Sequence, residues 1–287
     1  MSGPPLPLDP DQPLPVEAEQ LWEINAAWWQ DCFTEGADPE YREQIVPILK
    51  DLLSESRPAT VLDIGCGEGQ LSRVAARVPG VGHVVGIDPT RSQLEAAVRR
   101  QLGANEQGGA NEQGNGGQGR AVAGLAPVDY ARATATALPF PDETFAAAFA
   151  CLVFEHIEGA VLAIAEAGRV VRAGGTFVLF MNHPLLQVPG SGWVDDDILG
   201  EQYWRIGPYL AENHSVEEVD KNIWIPFVHR PLSVYVNALV AAGLYVTKML
   251  EPAPPGGFLE KAEEYRQAAA FPRLLVLRTE KLVPARH

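Results

Sequence analysis

The sequence predicts an α/β fold with a doubly wound parallel sheet, and three observations carry that prediction. From residue 57 onward, short apolar runs alternate with stretches of helical periodicity, as in a parallel sheet covered on both faces. The first run leads into VLDIGCGEGQ, residues 61–70, with glycine at 65, 67 and 69. The second, HVVGIDPT, carries an acid, Asp88, at its end.

In chain order, residues 1–15 hold six prolines and read as a flexible arm. They lack the cationic start and apolar stretch of a secretory signal. Residues 16–56 read as two helices covering the site. In 17–33, Leu21, Ile24, Trp28 and Cys32 form a stripe, with Trp22, Trp29 and Phe33 beside it. In 40–53, Ile45, Ile48, Leu49 and Leu52 face one way, and Pro47 fits only near a first turn. Strands are expected at 60–64, 83–87, 127–132, 145–151 and 176–181. Helices are expected where Leu71, Val74, Ala75 and Val78, and then Leu94, Ala97, Val98 and Leu102, recur at helical spacing. Residues 103–119 repeat GANEQG and contain no apolar residue larger than alanine, so they read as an expanded surface loop. Residues 183–230 read as a cap, with strands QYWRIGPYL and VDKNIWIPFVHR joined by a polar turn. A further helix is expected to start near Leu232.

Bulk properties narrow the function. The 287 residues carry a net charge of −15, which repels a phosphate backbone and points to a small-molecule partner rather than nucleic acid. No stretch approaches the ~20 apolar residues of a membrane span, so no membrane partner is expected. Cys32, Cys66 and Cys151 are odd in number and form no CxxC, which suggests reduced thiols in a cytoplasmic protein. No ligand cluster has a metal-site spacing, so no metal is expected.

The glycines permit a tight strand-to-helix turn whose backbone can approach a ligand closely. The N–H groups of the following helix point at the same spot. Such a turn lies at the carboxyl end of its strand, where ligands bind in doubly wound sheets. Asp88 follows Gly65 by 23 residues, an offset that suits an acid accepting hydrogen bonds from ribose hydroxyls. The same acid could instead serve a helix cap, a role that Thr90 or Ser92 could fill.

The spacing here is D-x-G-x-G-x-G rather than G-x-G-x-x-G. Together, VLDIGCGEGQ, GIDPT, ALPFPDETFAAAFACLVFEHI and RVVRAGGTFVLF resemble the class I S-adenosylmethionine-dependent methyltransferases, in particular their bacterial small-molecule branch of ubiquinone- and menaquinone-pathway enzymes. The likeness runs through residues 60–182, and HRPLSVYVNALVAAGLYV continues it. It implies a Rossmann-like seven-stranded sheet over 57–287, an N-terminal helical segment, a cap inserted after strand five, and S-adenosylmethionine as cofactor. Asp63, Gly65, Cys66 and Gly67 match the loop at the cofactor's methionine end. Asp88 matches the ribose acid, Pro89 and Gln93 pack near the adenine, and Cys151 matches a residue beside the sulfonium. The family often places an acid before ALPF, where this chain has Thr134 followed by Ala135, and another after Phe145, where it has Ala146. His156 matches the histidine of the family's EH pair.

The expected activity is methylation of a small apolar or aromatic metabolite. Trp29, Tyr203 and His156 are the expected acceptor contacts. His183 and His229 are candidate general bases, since histidine suits proton removal near neutral pH. Two alternatives stand beside this. One is a non-catalytic S-adenosylmethionine-binding protein, left open by Thr134 and Ala146. The other is a nicotinamide-dependent oxidoreductase, disfavoured by the glycine spacing.

Overall fold

The computed structural model describes residues 18–34, 37–109, 125–262 and 267–283. The proline-rich 1–15 and residues 110–119 of the repeat lie outside them.

The N-terminal segment contributes α1 (Ala18–Phe33) and α2 (Val46–Ser56), the latter entered through a wide π-type turn at Tyr41–Ile45. Pro47 falls in the first turn of α2, where its missing N–H costs nothing. Leu49, Leu52 and Leu53 bury one face of that helix. In α1 the inward face differs from the expected stripe. Leu21, Asn25 and Ala26 are buried, while Ile24 is 66% exposed.

The main body runs β1 (Thr60–Ile64), α3 (Gln70–Ala75), β2 (His83–Asp88), α4 (Arg91–Gly109), β3 (Val128–Arg132), β4 (Phe145–Cys151), α5 (Ala160–Val170) and β5 (Val171–Asn182). Two hairpins follow, β6 (Gly192–Asp196) with β7 (Glu201–Arg205), and β8 (Asn213–Asp220) with β9 (Ile223–His229). The chain ends through α6 (Leu232–Ala241), β10 (Leu244–Leu250) and β11 (Leu274–Lys281).

The seven main strands lie in the order β10-β11-β5-β4-β1-β2-β3, and β11 alone runs against its neighbours. Alternation fills a core on each face. Leu62, Ile64, Phe177 and Leu179 meet α5 and α6 on one side. Val61, Phe149, Val178 and Phe180 meet α2 and α3 on the other. The chain crosses from β1 outward in both directions, which puts the switch point between β1 and β4. Among the described residues no helix is long and apolar enough to cross a membrane.

Three expectations are corrected here. The first copy of GANEQG, 103–108, is helical, because α4 continues to Gly109; once nucleated, a helix propagates through residues that would not start one. The buried face of α4 is Gln93, Ala96 and Ala97, whereas Val98 and Leu102 are exposed. The cap is two hairpins, not one. The strand with Trp204 pairs with 192–196, and the strand with Trp224 pairs with 213–220, so each pairs with its nearest neighbour in sequence.

Candidate active site

A cleft of about 580 Å³ opens at the carboxyl ends of β1, β2 and β4, large enough for a drug-sized ligand. Gly65, Cys66 and Gly67 form its floor. The turn is pinned to β2 by the Gly65 and Cys66 N–H groups, which both donate to the Ile87 carbonyl at 2.8 Å. Gly65 has φ +73° and Gly67 φ +52°, both in the left-handed region that disfavours side chains. A Cβ at Gly65 would strike Val153. A Cβ at Gly67 would meet nothing within 4 Å and would occupy the cleft itself. The two glycines thus serve different ends: one admits a protein neighbour, the other keeps space free.

Asp88 sits beside this floor with two backbone donors. Oδ2 accepts from Gly67 N–H at 2.9 Å and Oδ1 from Thr90 N–H at 2.8 Å. Burial raises its carboxyl above the ordinary value, and these bonds oppose the rise. Asp63 lines the cleft from below. Burial pushes its carboxyl up to about 7, although Ser72 Oγ donates to it at 2.6 Å and ties β1 to α3. Pro89, Gln93, Thr134, Ala135 and Cys151 all line the same cleft. Gln93 Oε1 accepts from Gln30 Nε2 at 3.0 Å, and Thr134 Oγ1 lies 3.3 Å from Thr136 Oγ1. The Cys66 and Cys151 thiols are raised well above their ordinary value, chiefly by burial, so both stay protonated and unreactive.

The opposite wall is aromatic and comes from α1 and the segment after it. Trp29 stacks on Phe33 at 4.2 Å and meets Trp22 edge-on at 5.4 Å. Trp22 meets His156 at 5.0 Å. His156 Nδ1–H donates to the Pro226 carbonyl at 2.8 Å, which fixes the tautomer when the ring is neutral and leaves Nε2 as an acceptor. Burial pushes this ring down to about 4, so it is neutral at physiological pH.

The cleft therefore gathers all ten expected cofactor residues with Trp29 and His156. The other three candidates lie elsewhere. His183 donates from Nε2 to Glu251 at 2.8 Å and accepts from Leu185 N–H at Nδ1. His229 donates from Nε2 to the Tyr209 carbonyl at 2.8 Å. Neither lines the cleft, because both imidazoles are engaged in holding loops beyond it. Tyr203 is 46% exposed on the outer face of its hairpin.

Several site residues escaped sequence reasoning. Glu23 of α1 accepts from Arg91 N–H at 2.8 Å and from Ser92 N–H at 3.1 Å, so a carboxylate distant in sequence caps α4 and anchors α1. Its slight burial raises the carboxyl, but the bonds from Ser92 and Arg91 outweigh this and hold it low. Glu68 is buried between Arg73 at 2.7 Å and Arg100 at 2.8 Å. Leu152, which lines the cleft, has φ +54°, a strained conformation of the sort that concentrates at functional sites. Only Glu68 had a sequence signal, an acid inside the glycine turn.

The buried acids set the pH response of the ligand-free fold. Asp63 and Glu155 move from 3.8 and 4.5 to about 7, mainly through burial. A raised acid binds its proton more tightly when folded, so stability falls as pH rises from the unfolded to the folded value. His156, lowered from 6.5 to about 4, acts oppositely over that window. Two acids outweigh one histidine, so the thermal midpoint is expected to fall as pH rises from 5 to 8. Glu155→Gln should flatten the slope in a pH series of thermal scans, and a midpoint rising steadily over that range would contradict this balance.

A family model described as a methyltransferase domain matches residues 62–179. The chain is 26% identical over 215 residues to the O-methyltransferase resE of Aspergillus sclerotiorum, covering 69% of this chain and 74% of that one. It is 29% identical over 222 residues to a 2-phytyl-1,4-naphtoquinone methyltransferase of Synechococcus elongatus, covering 76% and 78%. Its fold matches an S-adenosylmethionine-dependent methyltransferase structure from Mesorhizobium loti with a TM-score of 0.62 at 23% identity, over 82% of this chain and 96% of the other.

Proposed function

We propose that this chain is a class I S-adenosylmethionine-dependent methyltransferase of small molecules, as its methyltransferase domain match and its similar proteins support, and that its acceptor is a flat aromatic molecule bearing a hydroxyl group. The observation that carries this reading is the wall of Trp22, Trp29 and Phe33, which shares one cleft with the glycine floor and Asp88. Flat rings pack on such a wall and gain from edge and face contacts. Of the similar proteins, an O-methyltransferase favours an oxygen acceptor and a 2-phytyl-1,4-naphtoquinone methyltransferase favours a flat ring.

The residues fit the cofactor. Asp88 would hold the ribose hydroxyls, Gly65 and Gly67 would let the backbone approach the methionine end, Pro89, Gln93, Thr134 and Ala135 would surround the base, and Cys151 would border the reacting end. When bound, S-adenosylmethionine supplies a methyl group already activated by its sulfonium. The chain's own task is alignment, and positioning of this kind is worth up to ~7–11 kcal/mol. The α1 wall excludes water and fixes the plane of the acceptor. His156 accepts a hydrogen bond at Nε2 from the acceptor hydroxyl and so orients its oxygen. With its ring held down near 4, it is a weak base. The rate should therefore follow the acceptor's own ionisation rather than a histidine titration.

The test is methyl transfer to a panel of phenols and hydroxylated naphthoquinones, set against aliphatic alcohols and amines of similar size, with products identified by mass. Aromatic acceptors should dominate. Trp29→Ala should lower kcat/KM for them by at least about tenfold, in the range for losing an aromatic pair and its buried area. S-adenosylhomocysteine affinity should stay near that of the parent. Equal transfer to aliphatic acceptors, or normal turnover by Trp29→Ala, would refute the reading.

A further inference from the structure

A second cavity, of about 360 Å³, lies at the other end of the sheet's carboxyl edge, where β5 meets β11. It shares no lining residue with the first cleft. Trp193 and Trp204 face each other across the β6–β7 hairpin, so both rings project from the same side of it. Their ring centroids are 5.5 Å apart at 85°, and Phe271 stands 5.3 Å from Trp193 at 89°. These rings form perpendicular walls around one space. That arrangement suits a flat ring, which can meet one wall face-on and another edge-on.

The charged groups that line this cavity among the described residues are both cations, and its amide side chains are Asn182 and Gln187. Among the described residues its lining includes Arg273 and Lys261 and no acid, in a chain of net charge −15. The Arg273 guanidinium lies over the Phe258 ring at 4.2 Å. Among the described residues neither cation forms an ion pair. Glu40 is near enough to feel the Arg273 charge, yet its buried Oε1 has no hydrogen-bond partner among the described residues. Two buried N–H groups, Arg273 Nε and Trp204 Nε1, have no hydrogen-bond partner among the described residues. A buried donor left unpaired is costly, and two of them together with a cation mark a place that lacks its acceptor. A cationic ligand would be repelled here, and a neutral apolar one would leave both donors unpaired.

We propose that this second cavity is a binding site for a planar aromatic carboxylate. The ring lies among Trp193, Trp204 and Phe271. The carboxylate takes N–H donors from Arg273 and Trp204, with Lys261 at the mouth adding charge. The volume suits a molecule of one or two fused rings. Asn182 lines this cavity, and Glu155 accepts both its N–H, at 3.0 Å, and its side-chain amide, at 3.2 Å. Glu155 is the chain neighbour of His156 in the first cleft, so one residue pair joins the two sites.

The test uses the full chain, with 2-naphthoate as probe and the uncharged 2-naphthamide as control, measured by calorimetry with and without saturating S-adenosylhomocysteine. Naphthoate should bind saturably in both conditions, at least about tenfold tighter than the amide, a ratio worth one charge-assisted hydrogen bond. Arg273→Met should remove that preference. Trp204→Phe, which keeps a ring and loses the N–H, should weaken naphthoate severalfold. Melting and S-adenosylhomocysteine affinity should match the parent in both variants. Should Arg273→Met melt early, Lys261→Met at the exposed mouth replaces it, with a smaller loss expected. Failure of naphthoate to bind, equal binding of the amide, competition with S-adenosylhomocysteine, or indifference to both Trp204→Phe and the cation variant would each overturn the proposal. None of these outcomes depends on which acceptor the first cleft methylates.

Discussion

Replacing Asp88 with asparagine is expected to weaken S-adenosylmethionine binding at least about a hundredfold. Two hydrogen bonds from ribose hydroxyls to an ionised acceptor contribute ~1.5–3 kcal/mol each, and ~3 kcal/mol is already about two orders of magnitude in affinity. Asparagine keeps one oxygen and loses the charge. Asp88→Ala is a poorer test, because both carboxylate oxygens already hold backbone N–H groups, those of Gly67 and Thr90. Removing them leaves two donors unpaired at the floor of the cleft and should lower the melting temperature as well. Calorimetric titration alongside thermal scans separates the two effects. If Asp88→Asn binds as tightly as the parent, the carboxylate only holds the turn.

The second large effect is expected at Gly67. Its φ of +52° is one that asparagine tolerates better than most residues, so Gly67→Asn should keep the backbone path. The new side chain has no protein atom in its way and must enter the cleft. Folding should change little, while S-adenosylmethionine binding should fall below detection in the same titration. Alanine at this position should give an intermediate loss, since it adds a single carbon. A folded Gly67→Asn protein that binds the cofactor normally would mean that the ligand keeps clear of the floor. Gly65 offers no such separation, because a side chain there strikes Val153 and disturbs packing and ligand space together.

Much of the floor of the cleft was legible in the sequence. The floor needs small residues and left-handed backbone, and only glycine supplies both, so its positions stand out in a strand-to-helix turn. Asp88 follows from the same logic, since β2 pairs in register beside β1 and its last residue must arrive next to the turn. The aromatic wall was less legible. Aromatic residues crowd the N-terminal helices and the 183–230 interval alike, and composition does not separate a wall from a core. Trp29 lines the cleft, Trp204 lines a different cavity and Tyr203 points outward. His183 stands at the carboxyl end of β5, where a catalytic group could stand, yet its ring is turned to Glu251.

What the sequence determined by itself was local and periodic: the alternation of strands and helices, the conformations open to Gly65 and Gly67, the acid ending β2, and the two-sided burial of β1, β4 and β5. Each of these depends on neighbours within a few residues or on a repeat that a single strand or helix must obey. The tertiary structure alone decided which face of α1 and α4 turns inward, which hairpin each cap strand joins, and which histidine meets the cleft. It also brought Glu23 to the start of α4 and set Arg273 and Trp204 around one cavity. These arrangements join residues far apart in the chain, and they are chosen by packing and by hydrogen bonds formed only once the sheet is assembled.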